Sequence, residues 1–370
     1  MSTKLLICDD SNMARKQLAR SLPDGWDVDI SFATDGVEGI KAIKEGKGDI
    51  LLLDLNMPNM DGYQVLEAIL TQDLPTLTIV VSGDIQPEAH KRVKELGALD
   101  FIKKPVNKEK LVEVLKAYGI FSNIDNPSAS VSLSCQPDTS SLNSKIENVS
   151  KPSTPLKISP IDINAPESEV SLTLSSELRD CYQEISNVAM GRAGDLLARL
   201  LSVFVELPIP NVNFIEVSEL KMALKDVEAN ENTSAICQGF ISAGISGEAL
   251  LILNDSSFKD VASLMNYEYD EDRSTELELL MDLANVLIGA CLKGISEQLD
   301  INFSQGHPVV LGQHRKISEL ISNNDNNWKK TLAIEISYHI EGYSIKCDLL
   351  LLFTEKSMKT MNNKLKYLLD

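Results

Sequence analysis

Between residues 4 and 118 a short apolar run alternates with an amphipathic stretch of helical period, five times over. Lys4–Cys8, Val28–Phe32, Ile50–Asp54, Thr78–Ser82 and Phe101–Lys103 read as strands. Asn12–Ser21, Gly36–Glu45, Tyr63–Leu70, Pro87–Leu96 and Lys108–Ala117 read as helices. Helical crossovers join parallel strands, and strands apolar along their whole length are buried on both faces. The pattern therefore predicts an α/β fold, a five-stranded parallel sheet wound on both sides by helices. In such a sheet, chemically active side chains gather beyond the carboxyl ends of the strands.

Four polar clusters fall at those ends. Asp9 and Asp10 follow the first strand, Asp54 ends the third, Ser82 ends the fourth and Lys104 follows the fifth. A single Asp at a strand end is usually a turn former. Three carboxylates brought to one crevice repel one another unless a cation is bound, and oxygen ligands suit Mg²⁺. A carboxylate facing a metal ion and an ammonium can accept a phosphoryl group. Lys104 and the Ser82 hydroxyl would then stabilise the transferred oxygens.

This segment resembles the receiver domain of two-component response regulators, with a flavodoxin-like sheet. The resemblance implies Asp54 as the phosphoacceptor, and Asp10, Asp54 and the Asn56 backbone carbonyl as direct Mg²⁺ ligands, with Asp9 reaching the ion through water. It implies Ser82 as the switch hydroxyl, Lys104 as the phosphate-binding lysine and Phe101 as the switch aromatic. Pro58, Asp61 and Gly62 match the turn after the acceptor. A CheA-like histidine kinase would be the phosphodonor.

The next stretch differs in kind. Residues 121–172 hold six of the 14 prolines, many Ser and Asn, and no periodic apolar face. Such a segment buries too little surface to offset its ordering entropy, and it reads as a flexible tether between a domain at 1–120 and another at 173–370.

From residue 173 long helices and alternating strands mix. Leu174–Val205 and Thr275–Leu299 read as amphipathic helices, and Ile236–Leu253 and Leu332–Phe353 as antiparallel strand pairs with turns near Gly244–Gly247 and Glu341–Gly342. The segments GEALLILNDSSFKDVASLMN and KCDLLLLFTEKSMKTMNNKL run in parallel, predicting an α+β domain with an internal repeat. The first long helix carries Asp180, Glu184 and Asn187, and the second carries Glu278, Asp282 and Asn285. Offsets of four and three place each triplet on one helical face. Pro210 and Pro308 each lie 23 residues beyond the Asn. An acid and an amide on one face are commonly a solvated stripe; their duplication favours a site. A carboxamide can hold a water for in-line attack, and a nearby carboxylate can pair with a partner's lysine. No Ser–His or Cys–His arrangement accompanies them.

The repeated pattern resembles the CheC/CheX/FliY family of chemotaxis phosphatases. It implies hydrolysis of the aspartyl phosphate of a CheY-like receiver, with Asn187 and Asn285 orienting water and Glu184 and Asp282 bridging the receiver's lysine. The second copy carries Asp282 where the family has Glu, and its reach is shorter. The substrate receiver can be a separate protein or the one attached. A non-catalytic alternative is a phosphorylation-dependent docking module for the deamidase CheD or a flagellar switch component.

Composition bounds the remaining classes. The chain has 35 Lys+Arg against 54 Asp+Glu, a net charge of -19, which disfavours a nucleic-acid surface. No stretch is expected to reach the roughly 18–20 apolar residues of a membrane span. The six Cys and four His show no metal-site spacing, and scattered thiols suit a reducing cytoplasm.

Overall fold

Leu5, Leu6, Ile7 and Cys8 are all fully buried, as expected of a central strand covered on both faces. The computed structural model describes residues 2–121, 175–216, 233–267, 273–315 and 330–369. The five N-terminal strands, β1 (Thr3–Cys8), β2 (Val28–Ala33), β3 (Ile50–Leu53), β4 (Leu77–Ser82) and β5 (Asp100–Lys103), form one parallel sheet in the order β2-β1-β3-β4-β5. Its order turns at β1, so β1 and β3 open a crevice at their carboxyl ends. Helices α1 (Asn12–Ser21), α2 (Gly36–Lys44), α3 (Gly62–Thr71), α4 (Pro87–Glu95) and α5 (Lys108–Ala117) connect the strands. One apolar cluster on each face of the sheet seals it, around Leu6, Leu51, Leu53 and Val80 on one side and Leu5, Ile7, Leu52 and Ile79 on the other.

Local signals set the helix starts. The Ser11, Asp35 and Asn107 side chains cap α1, α2 and α5, and Asp61 with Gln64 makes a reciprocal capping box at α3. Gly62 is obligatory there, because a Cβ would stand 2.7 Å from the Leu55 Cα. Phe121, assigned to the tether from sequence, instead packs edge-on against Trp26 with ring centroids 5.9 Å apart. Residues 122–173, including Cys135 and the rest of the tether, lie outside the described residues.

The C-terminal domain begins with α6 (Ser176–Leu201), followed by β6 (Val205–Glu206), β7 (Asn211–Glu216), the hairpin β8 (Thr233–Ser242) and β9 (Ile245–Asn254), and α7 (Phe258–Leu264). Then come α8 (Arg273–Leu299), β10 (Ser304–Gln305), β11 (Val309–Arg315), the hairpin β12 (Lys330–Ile340) and β13 (Lys346–Thr354), and α9 (Glu355–Leu369). Among the described residues the strands form one antiparallel sheet, with β10-β8-β9-β13-β12-β6 in order, β11 also on β8 and β7 also on β12. The helices cover one face of it, burying Leu251, Leu253, Ile336, Leu349 and Phe353 against Ala189, Leu283 and Leu287.

Two expectations change. The first long helix ends at Leu201 rather than Val205: Ser202 takes a left-handed conformation (φ 56°), and Val205 joins a strand facing Ile340. The second long helix is long and apolar enough to cross a membrane over Ser274–Leu299, contrary to the reading that no stretch reached that measure. Its apolarity has a different cause. It runs through the domain core with Leu279, Leu280, Leu287, Ile288 and Cys291 fully buried, as a helix apolar all round must.

Met1–Phe121 and Leu174–Asp370 form one compact unit. The receiver-like sheet and the C-terminal domain are packed together, and the face they share is the crevice at the strand ends.

Candidate functional site: an acidic crevice closed by helix α6

The ends of β1, β3, β4 and β5 bring Asp9, Asp54, Ser82 and Lys104 into one buried cluster, with Asp10 at its edge. Lys104 Nζ lies 2.8 Å from Asp9 Oδ2 and 3.3 Å from Asp54 Oδ1. The Asn56 backbone N–H donates to Asp54 Oδ2 at 3.2 Å, and the Ser11 N–H donates to Asp9 Oδ1 at 2.9 Å. Burial, with Asp9 beside it, pushes Asp10 up to about 7. Burial also lifts Asp54 to about 7, against the pull of Lys104. Burial opposes the Lys104 charge as well, yet Asp54, Asp9 and Glu184 hold that ammonium well above the usual lysine range.

The cluster fits a hard divalent cation. Asp9, Asp10 and Asp54 each offer an oxygen, all within 4.8 Å of one another, and Lys104 is the cation that Asp9 Oδ2 and Asp54 Oδ1 share. A Mg²⁺ ion here would offset the burial, and after it the carboxylate repulsion, that raise Asp10 and Asp54. Phe101 is turned inward at 8% exposure and stacks on His90, with centroids 3.8 Å apart.

Helix α6 lies across this crevice. Glu184 Oε1 is 3.0 Å from Lys104 Nζ, so the lysine is shared by three carboxylates from two domains. Burial lifts Glu184 to about 7, opposed by Lys104. Three residues on, Asn187 Oδ1 accepts from Asn56 Nδ2 at 3.2 Å, two positions from Asp54. One turn before Glu184, Asp180 accepts from the backbone N–H groups of Asn12 and Met13 at 3.1 and 2.9 Å. A carboxylate at a helix N-terminus satisfies its unpaired donors and meets its positive dipole end. All three residues of the first sequence triplet therefore contact the receiver-like domain.

The second triplet is placed differently. Glu278 and Asn285 are exposed on α8, and Asp282 is half-buried, accepting from the Tyr267 hydroxyl at 3.2 Å. A Cβ on Gly289, four residues beyond Asn285, would meet nothing within 4 Å.

Other contacts had no sequence expectation. Gly191, four residues beyond Asn187, touches the receiver-like backbone so closely that a Cβ would sit 2.5 Å from the Gly83 carbonyl carbon. Gln86 bonds both backbone groups of Val205. Arg92 pairs with Glu341 and lies 4.0 Å from the Phe204 ring centroid. The spacing of Gly191 on the triplet's face was a legible hint. Gln86 and Arg92 sit in a loop and a helix whose side chains carry no pattern that names a partner.

Residues 5–116 match the response regulator receiver domain family. Over 114 residues the chain is 35% identical to the chemotaxis protein CheY of Treponema pallidum, a match covering 30% of this chain and 78% of that one. The chain belongs to the response regulator receiver family through its N-terminal domain. Over 103 residues it is also 40% identical to protein-glutamate methylesterase/protein-glutamine glutaminase 3 of Geobacter sulfurreducens. That match covers 28% of each chain, so this chain spans little more than a quarter of that relative's length. Among solved structures, FliY of Thermotoga maritima covers 53% of this chain and 99% of its own, with a TM-score of 0.41 and 21% identity.

Proposed function

We propose that this protein is a chemotaxis-type response regulator, phosphorylated on Asp54 by a CheA-like histidine kinase, whose C-terminal domain hydrolyses the resulting aspartyl phosphate. The observation that carries the reading is the placement of Glu184 on Lys104 and Asn187 on Asn56, at the mouth of the acceptor site. The first substrate is therefore the attached receiver.

In this reading Asn187 exchanges its bond with Asn56 for one to a water, held in line with the phosphorus. The water oxygen forms the new bond to phosphorus as the bond from Asp54 Oδ breaks. Asp54 leaves as a carboxylate and inorganic phosphate carries off the water's proton. Glu184 holds Lys104, and with it the angle between α6 and the crevice; its role is to position. Asp9, Asp10, Asp54 and the Asn56 carbonyl would hold Mg²⁺, which supplies neutralising charge for the phosphoryl oxygens. Asp54 is 1% exposed beneath α6, so phosphorylation by a kinase requires the domains to part. The docked state is then the hydrolytic one.

The exposed face of α8 supports a second role. Asp282 and Asn285 would act on a free-standing CheY-like receiver, with the shorter Asp282 making that site the weaker one. Among the described residues five cysteines are free and buried, which suits a reducing compartment such as the cytoplasm.

The test is the lifetime of phospho-Asp54 in the full chain. Asn187→Ala should lengthen it by about a hundredfold, as expected for loss of a group that orients the attacking water. An unchanged lifetime would sink the reading.

A further inference from the structure

The contacts at the acceptor site engage the Lys104 ammonium, the Asn56 side chain and the α1 backbone N–H groups, all beside the chemistry. A second set of contacts lies away from the chemistry, on side chains that hold neither the phosphoryl group nor the ion. The strongest is Gln86, fully buried at the N-cap of α4. Its Nε2 donates to the Val205 carbonyl at 2.8 Å, and its Oε1 accepts from the Val205 N–H at 2.9 Å. Val205 lies in β6, the last strand of the C-terminal sheet, with β12 on its other side. The carboxamide thus does what a peptide group of an added strand would do on a sheet edge.

The geometry leaves one orientation for that amide. Nε2 also donates to Asp84 Oδ1 at 3.1 Å, and the Gln86 backbone N–H donates to the same oxygen at 3.1 Å. Both N–H bonds and the carbonyl of the side chain are used, and Asp84 fixes the rotamer before the domains meet. Only Asn and Gln carry an adjacent donor and acceptor in one plane whatever the pH, and the shorter Asn reaches less far. A receiver with an apolar residue here would bury the Val205 N–H and C=O unpaired, which costs more than the bonds themselves yield. Recognition that penalises a missing polar group is the kind that discriminates strongly.

We propose that Gln86 is the specificity residue by which the C-terminal domain selects its own receiver over others for α6. This rests on the hydrolytic reading above. It adds that a docking contact outside the reacting groups decides which receiver occupies the first site, and that the attached receiver competes with any arriving in trans.

The test uses two full-length chains. The substrate chain carries Gly191→Leu, Asn187→Ala and Asn285→Ala, so that its own α6 is held off its receiver by the Gly83 backbone and cannot hydrolyse it, and is labelled on Asp54 with radioactive acetyl phosphate. The catalyst chain carries Asp54→Asn and Asn285→Ala. Placing Gln86→Leu in the catalyst loosens its own receiver and should raise the trans rate, by about thirtyfold for two buried hydrogen bonds. Placing Gln86→Leu in the substrate should lower the rate by a similar factor. A purely structural role, or a folding defect, lowers the rate in both placements. Equal rates, or loss in both, would overturn the proposal. A catalyst with Asn187→Ala sets the background: if it matches the parent catalyst, the hydrolytic reading itself fails, whatever Gln86 does.

Discussion

A single methyl group added at Gly191 separates the docked geometry from the chemistry. Gly191 is not a reacting group, yet a Cβ there would stand 2.5 Å from the Gly83 carbonyl carbon and 3.0 Å from the Asp84 nitrogen, where ordinary contact begins at 3.4 Å. The atoms in the way are backbone, pinned by the Asp84 N–H bond to the Ser82 hydroxyl at 3.2 Å, so they yield little. Gly191→Ala must therefore push α6 and the β4–α4 loop apart by about 1 Å. That shift carries the Asn56–Asn187 bond from 3.2 Å past the hydrogen-bond limit and loosens the 3.0 Å Lys104–Glu184 pair. Misplacement by about 1 Å costs a reaction of this kind on the order of a hundredfold. The assay is the decay of labelled phospho-Asp54 in the intact chain, beside a thermal melt. Alanine is a better helix former than glycine by about 1 kcal/mol, so the fold should not weaken while hydrolysis slows. Gly289→Ala is the matched control, because its Cβ meets nothing. Unchanged decay in Gly191→Ala, or equal slowing in Gly289→Ala, would refute the claim that α6 is seated on the crevice during hydrolysis.

Two further outcomes are expected. Burial lifts Asp84 to about 6 from 3.8, so the folded protein binds that proton more tightly than the unfolded chain. Stability then falls as pH rises from about 4 to 6 and stays lower above it, by at most about 3 kcal/mol. Asp84→Asn keeps an oxygen for Gln86 and should raise the melting temperature at pH 7.5 while leaving it nearly unchanged at pH 4; a lower melting temperature at pH 7.5 would contradict this account. Removing divalent cations with EDTA should abolish labelling of Asp54 by acetyl phosphate, and Mg²⁺ should restore it. Persistent labelling in EDTA would exclude the Asp9–Asp10–Asp54 cluster as the ion site.

The acidic crevice was legible in the chain because each of its residues follows an apolar run at a strand end, and parallel strands deliver such ends to one place. Asp9, Asp10, Asp54, Ser82 and Lys104 lie where that rule puts them. The α6 triplet was legible for a similar local reason: offsets of four and three make one helical face in any fold. What that face touches is a different kind of information. Helical period says that Asp180, Glu184 and Asn187 point the same way. It says nothing about Lys104, Asn56 and the α1 N-terminus, which are 80 to 168 residues distant in the chain.

The sequence by itself determined two things about this protein: a receiver domain with acidic and basic side chains gathered at its strand ends, and a second domain with an acid–amide face present twice. Both follow from short-range periodicity, which local sterics and hydrogen bonding convert directly into strands, helices and faces. Only the tertiary structure decided which of the two faces is occupied and by what. It set the α6 copy on the protein's own Asp54 site, left Asn285 on α8 exposed, and supplied Gln86, Arg92 and Gly191 as the contacts that hold the arrangement. Those choices rest on complementarity between surfaces remote in sequence, where a buried carboxamide or a missing Cβ is worth as much as the motif. No local pattern encodes which surface a given side chain will meet.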